Sequence, residues 1–311
     1  MPPRGFVVAG ESLVDIVVAP SGDTSEAVGG SPMNVAVGLA RLDVPALLIT
    51  RIGDDPRGRD IADHLRSSGV ELSGPSVVAG LSTSTATARL DRDHAATYDF
   101  ELVWSLEEQM LPERDGLHVG SLGASLEPGR RAVLDLVRQA ADRDMFVSFD
   151  PNVRPVFVTD ADAAWRDLTE TATLSTLVKA SDEDLQALQP DHAIPILAAE
   201  LLAGDRTELV IITRGGGGSW VFGPGVEVEV AAPRVEVEDT VGAGDSFMAA
   251  TLAILSDWDL PSAGPGALAR LDETRVRDLL AGAMAAAAIT CSRRGANPPT
   301  RRELPAGWPA G

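Results

Sequence analysis

Asp239-Thr240-Val241-Gly242-Ala243-Gly244-Asp245-Ser246-Phe247 runs directly into the apolar stretch Met248–Leu255. Two glycines before a helix let successive backbone N–H groups point into one concavity. The unsatisfied donors of the helix N-terminus and its dipole favour an anion there. The helix itself is apolar nearly all round, which predicts a central, buried position. Asp245 falls in its first turn. A carboxylate there either complements the dipole or, beside an anion hole, takes a proton from an attacking hydroxyl. The residues alone leave both open. Lys179 is the only lysine of the chain and no Gly-Lys-Ser/Thr occurs, so this reads as a phosphate site without lysine.

Upstream of this stretch, short β-branched runs alternate with longer amphipathic ones. Phe6–Ala9, Ala46–Ile52, Gly116–Val119, Phe146–Phe149, Thr176–Lys179 and Leu209–Thr213 read as strands with helical patterns between them. That order predicts a parallel sheet covered by helices. Arg57–Ser68 has a helix period closed by Gly69, and Pro128–Arg143 has a weaker one. Asp15–Val28 and Thr83–Leu102 break the rhythm. The second alternates, with Tyr98, Phe100 and Leu102 on one face after a polar turn at Asp91–His94. Together they predict a small antiparallel sheet projecting from the core. Asp257–Leu271, rich in Pro, Gly and Ala, predicts a surface loop.

A second glycine-rich stretch, Gly29-Gly30-Ser31-Pro32-Met33-Asn34, opens a helical pattern and is followed by Arg51-Ile52-Gly53-Asp54-Asp55-Pro56-Arg57-Gly58. Asn34 offers donors and an acceptor to a hydroxylated ligand, or serves only a capped turn. Asp15 stands just past the end of the first strand, where open parallel sheets bind ligands, although an Asp there also serves as a cap.

The 311 residues are 44% hydrophobic and 23% charged, a globular composition that excludes disorder, collagen and disulfide scaffolds. The net charge of −20 opposes attraction to phosphate backbones or anionic lipid, so nucleic acid and membrane are not expected partners. One cysteine and four histidines without paired metal spacing set aside disulfides, structural zinc and cysteine–histidine proteolysis. Glu11 and Asp15 interrupt the first apolar run before a signal-peptide core can form, and the reading is a first strand in a cytoplasmic protein.

The two glycine motifs, in this order and separation, resemble those of the PfkB (ribokinase-like) carbohydrate kinases: Gly-Gly-x-x-x-Asn with Gly53-x-Asp55-x-x-Gly58, then Asp239-Thr-x-Gly-Ala-Gly-Asp245. The resemblance runs from Gly10 to about Leu304. It includes Asp150-Pro151-Asn152-Val153-Arg154-Pro155, similar to fructokinases and 2-keto-3-deoxygluconate kinases, and Thr213-Arg214-Gly215-Gly216-Gly217-Gly218, similar to the family's nucleotide loop.

What this resemblance implies is one α/β domain over 1–311, a three-layer α/β/α sandwich with a β-sheet lid from segments about 15–28 and 83–102. The implied reaction is magnesium-dependent transfer of the ATP γ-phosphoryl group to a hydroxyl of a small sugar. Fructokinase leads, ahead of 2-keto-3-deoxygluconate kinase, a ribokinase-type sugar kinase or a sugar-binding regulator without catalysis. Asp245 becomes the base, with Gly242, Ala243 and Gly244 as the anion hole. Asp15, Gly30, Asn34, Asn152 and Arg154 would bind the sugar, as would Arg89 for an acidic one. Thr213, Gly215, Gly218 and Ser181 would contact the nucleotide, and Ala283–Asn297 would wall the adenine. Ser181-Asp182-Glu183-Asp184 departs from the family's N-x-x-E motif, so Asp184, with Glu183 as substitute, is the magnesium turn through water. Asp239, Val241 and Gly295 fall where some members bind a monovalent cation such as potassium, a charge that Arg293 and Arg294 would otherwise supply. The lid would also join two copies in a homodimer.

Overall fold

Phe6 and Val8 pack into one apolar cluster and Val7 and Ala9 into another. That division is what a strand covered on both faces requires, since its side chains alternate. The computed structural model describes residues 5–90 and 96–308; the expected turn at Asp91–His94 lies outside them. Among the described residues nine strands form the central sheet. Across it they run Val226–Val230, Ser219–Gly223, Leu209–Thr213, Leu177–Ser181, Phe146–Asp150, Gly116–Gly120, Phe6–Ala9, Ala46–Ile49 and Glu71–Leu72. From Leu209–Thr213 to Glu71–Leu72 every pairing is parallel. The last two strands pair antiparallel through the Pro224-Gly225 turn, so the sheet is mixed rather than the parallel one expected. The physical reason is local: a two-residue turn permits only an antiparallel return, whereas a parallel neighbour needs a crossover.

Helices Ser31–Arg41, Ala243–Asp257 and Glu273–Cys291 cover one face of the sheet, and Gly129–Asp142, Ala161–Thr173 and Ile194–Leu202 cover the other. The Ala243–Asp257 helix is buried at every position from Asp245 to Leu255, as its all-round apolarity predicts. It lies close to Ser31–Arg41 because Gly38 has no side chain: a Cβ there would stand 2.5 Å from that of Ala249. This close packing brings the N-termini of the two helices together. Among the described residues no helix is long and apolar enough to cross a membrane.

The chain leaves Phe6–Ala9 toward one edge of the sheet, then returns through Gly116–Gly120 to build the other. The reversal opens a crevice at the carboxyl ends of these neighbouring strands. Glu11 bridges it, its Oε2 accepting the Gly123 N–H at 2.7 Å.

The second sheet contains Thr24–Gly29, Leu13–Val18, Thr85–Leu90 and Ala96–Glu101, in that order. Leu13–Val18 and Thr85–Leu90 pair in parallel, which corrects the expected antiparallel arrangement. Each begins at the rim of the core and runs outward, so the two cannot oppose one another. The root of this lid is pinned by Asp55. Its side chain accepts the N–H groups of Gly58 and Thr83, both at 2.8 Å, and the Thr83 hydroxyl at 2.7 Å. Two contacts tie the lid to the body: a bidentate Arg57–Glu26 ion pair and the edge-on rings of Phe100 and Phe157.

Candidate active site

Asp245 lies where the two helix N-termini meet. Gly242 caps its helix with φ 75°, and Gly30 caps the other with φ 115°, a region that favours glycine. A Cβ on Gly30 would also stand 2.6 Å from the Glu11 carbonyl oxygen. The Ser31 hydroxyl donates to Asp245 Oδ1 at 2.6 Å and Asn34 Nδ2 to Oδ2 at 2.8 Å. Both oxygens of this buried carboxylate are thus held as acceptors beside the glycine turn. Ser31 was not among the residues expected at the site. Its place three residues before Asn34, on the same face of the helix, is the signal that would have found it.

Asp15 lies over the first glycine pair: a Cβ on Gly29 would stand 2.3 Å from its Oδ2. Burial pushes the Asp15 carboxyl up, and the Arg154 charge opposes this. Arg154 in turn donates to Asn152 Oδ1 at 2.7 Å, and Asn152 adopts φ 39°. Asp15, Gly30, Asn34, Asn152 and Arg154 therefore gather around the crevice. Arg89 does not. The register pairs Asp15 with Ala86 and Val18 with Arg89, so an odd step along the strand turns Arg89 to the opposite face from Asp15. This corrects its assignment to the sugar cradle.

Burial pushes the Glu11 carboxyl up to about 7, although its own N–H, Ser121, Gly123 and Arg154 all favour the ionised form. A native state that keeps this proton to about pH 7, against 4.5 for the free group, loses stability from this group as pH rises through that window. Glu11→Gln is expected to remove that slope. By urea unfolding it should gain about 3 kcal/mol relative to wild type between pH 4 and pH 8. Parallel pH profiles would show that Glu11 does not titrate there.

Ser181 and Thr213 are register partners at the carboxyl ends of adjacent strands. Gly215–Gly217 form the turn beyond them, and a Cβ on Gly218 would stand 2.1 Å from the Val230 carbonyl oxygen, so that position admits only glycine. Ser181 caps the Asp182–Leu188 helix. Its hydroxyl accepts the Asp184 N–H at 2.9 Å, while Asp184 accepts the Ser181 N–H at 3.0 Å and the Val153 N–H at 2.8 Å. Asp184 Oδ2 therefore serves the turn and Oδ1 the Val153 loop, and Glu183 is exposed. Among the described residues no group of three or more His, Cys, Asp or Glu side chains is arranged to hold a metal ion.

Asp239 joins the other cation candidates by its own side chain, accepting from the Val241 N–H at 3.0 Å and the Gly295 N–H at 2.8 Å. The alternative charges are engaged elsewhere, Arg293 with Glu303 and Arg294 with Glu238.

Lys179 stands close to the glycine turn, which the sequence alone reads as a phosphate site without lysine. Its Nζ bonds Asp150 Oδ2 at 2.7 Å in a buried ion pair and would stand 3.2 Å from a Cβ on Gly244. The sequence conceals this because the strand carrying Lys179 and the glycine turn are 65 residues apart and no local motif links them.

The profile of a family described as pfkB family carbohydrate kinase matches residues 7–302. A fructokinase of Klebsiella pneumoniae is 32% identical over 264 residues, covering 82% of this chain and 85% of its own. The crystal structure of a fructokinase with bound ATP from Xylella fastidiosa has a TM-score of 0.83 at 23% identity, covering 97% of this chain and 95% of that one. A fructokinase double mutant of Vibrio cholerae O395, in fructose, ADP and potassium ion bound form, has a TM-score of 0.78 at 25% identity and covers 94% of each chain. The fold is accordingly the ribokinase-like α/β sandwich that the motifs implied.

Proposed function

The chain belongs to the pfkB family of carbohydrate kinases, and from that premise we propose that this sugar kinase is a fructokinase, transferring the γ-phosphoryl group of ATP to a hydroxyl of fructose. The observation that carries the reading is Asp245, buried beside the glycine turn with both oxygens oriented by Ser31 and Asn34. In this reading Asp245 takes the proton of the acceptor hydroxyl as that oxygen bonds to phosphorus and the bond to the ADP oxygen breaks. The turn Gly242-Ala243-Gly244 faces the phosphoryl oxygens through the N–H groups of Gly242 and Gly244, while that of Ala243 donates to the Thr240 carbonyl at 3.2 Å. Asn34 keeps its carbonyl oxygen for a sugar hydroxyl, and Asp15, Gly30, Asn152 and Arg154 complete the cradle. Thr213, Gly215, Gly218 and Ser181 hold ATP. Closure of the lid would exclude water and so limit ATP hydrolysis.

The donor set suits a magnesium ion carried on the phosphates with most of its waters, reached through water by Asp184 or Glu183, rather than one caged by protein. When bound, magnesium neutralises phosphate charge. A potassium ion near Asp239, Val241 and Gly295, a cytoplasmic location and a homodimer through the lid belong to the same proposal.

Arg154 supports a second reading, an acidic keto-sugar as acceptor. Arg154 is already engaged, however: it donates to Asn152 Oδ1 at 2.7 Å and its charge acts on Asp15, which leaves it less available to an anionic acceptor. A panel of fructose, ribose, a nucleoside and 2-keto-3-deoxygluconate, followed by ADP release, is expected to give fructose the highest kcat/KM. Chelation of divalent metal is expected to abolish turnover. A higher kcat/KM for the keto-acid overturns fructose as the substrate, and turnover in chelator removes the metal.

A further inference from the structure

The strand ends beneath the glycine turn carry a buried polar layer that the roles above do not use. Lys179 is 4% exposed and Asp150 1%. Asp150, Asp184 and Asp245 all act on the Lys179 charge. Burial alone would lower the pKa of the ammonium, but these carboxylates outweigh it and keep the group protonated. Asp150 is pushed up by burial in spite of Lys179. At the pair, Asp150 Oδ1 and His118 Nε2 are buried without hydrogen-bond partners. His118 lies within the field of Lys179, which with burial keeps its imidazole neutral. An ammonium has three donors, and Asp150 takes one of those of Lys179.

The charge balance of this layer is unfavourable to an anion without Lys179. Three carboxylates act on this ammonium, and an incoming triphosphate adds further negative charge in a medium that screens it poorly. Gly244 leaves the gap: a side chain there would press on Nζ at 3.2 Å. An oxygen bonded to the turn at about 2.9 Å therefore comes within the near field of this ammonium.

We propose that Lys179 is a phosphate-binding residue, supplying the cationic side of the anion hole and contacting the terminal phosphate of ATP from beneath Gly244. The inference rests on the proposed kinase reaction for its ligand, but its test does not require turnover. As the only lysine, Lys179 gives a single side-chain resonance in protein labelled at lysine Nζ with nitrogen-15. ATP with magnesium is expected to shift that resonance, and ADP with magnesium to shift it much less. Equal shifts with both nucleotides, or none, overturn the proposal.

The variants separate contact from internal neutralisation. Lys179→Met leaves Asp150 buried and unpaired, so the double variant Lys179→Met, Asp150→Asn removes both charges together. Calorimetry is expected to show about a tenfold loss of ATP affinity in the double variant, with ADP affinity within about twofold. Wild-type ATP affinity in the folded double variant would mean that Lys179 only neutralises Asp150. A wild-type enzyme that phosphorylates no sugar yet shows the ATP-specific shift would sink the fructokinase reading alone. Fructose turnover without that shift would sink the Lys179 proposal alone.

Discussion

Asp245→Asn is expected to fold and bind ATP normally while turnover falls by about 10²- to 10⁴-fold, which is about 3–5 kcal/mol of barrier. The substitution preserves shape. Its carbonyl oxygen can still accept from Asn34, and the Ser31 hydroxyl can rotate to accept from the new amide, so neither neighbour is left unpaired. What disappears is the acceptor that removes the proton from the sugar hydroxyl. Thermal unfolding and ATP calorimetry establish that the variant is intact, and initial rates at saturating ATP and fructose report the loss. A folded variant retaining near-normal turnover would assign the proton to another group.

Gly58→Val is expected to cost about 3 kcal/mol of stability. Gly58 opens the Pro56–Ser67 helix against the Gly53 carbonyl, whose oxygen would lie 2.0 Å from an added Cβ. Neither partner is the end of a flexible side chain, so the helix start has to move. Asp55 ties that same turn to Thr83, and the displacement should reach the lid and raise KM for the sugar more than KM for ATP. Urea unfolding measures the first effect and steady-state kinetics the second. A loss below about 1 kcal/mol would show that the turn relaxes freely.

The parts of the fold legible in the sequence are those in which local chemistry and tertiary demand coincide. Phe6–Ala9 and Leu209–Thr213 are strands with the expected boundaries, because short apolar runs between polar ends have few alternatives. The glycine turn before Asp245 announces itself through the same physics that makes it a helix start. Val226–Val230 alternates apolar and acidic residues after a Pro-Gly turn, so its signal was present but lay outside the sought βα rhythm. Arg89 was misjudged because the side it faces depends on a register between strands about 70 residues apart, which composition does not encode. Lys179 was legible only as an absence of motif. Its partners Asp150 and Gly244 belong to different strand–helix units, and only the parallel stacking of strand ends makes them neighbours.

The two arms of the lid hairpin are joined at their base. Ser84 and Val103 face each other across its base, where the Ser84 hydroxyl accepts the Val103 N–H at 2.9 Å. The Ser84 carbonyl accepts the Val14 N–H at 3.0 Å. A pinch of this kind works as a fulcrum: the arms beyond it can lengthen, shorten or be exchanged without altering the spacing of the chain where it re-enters the core. The hairpin is in this sense a replaceable module, whose reach can change without rebuilding the reaction centre.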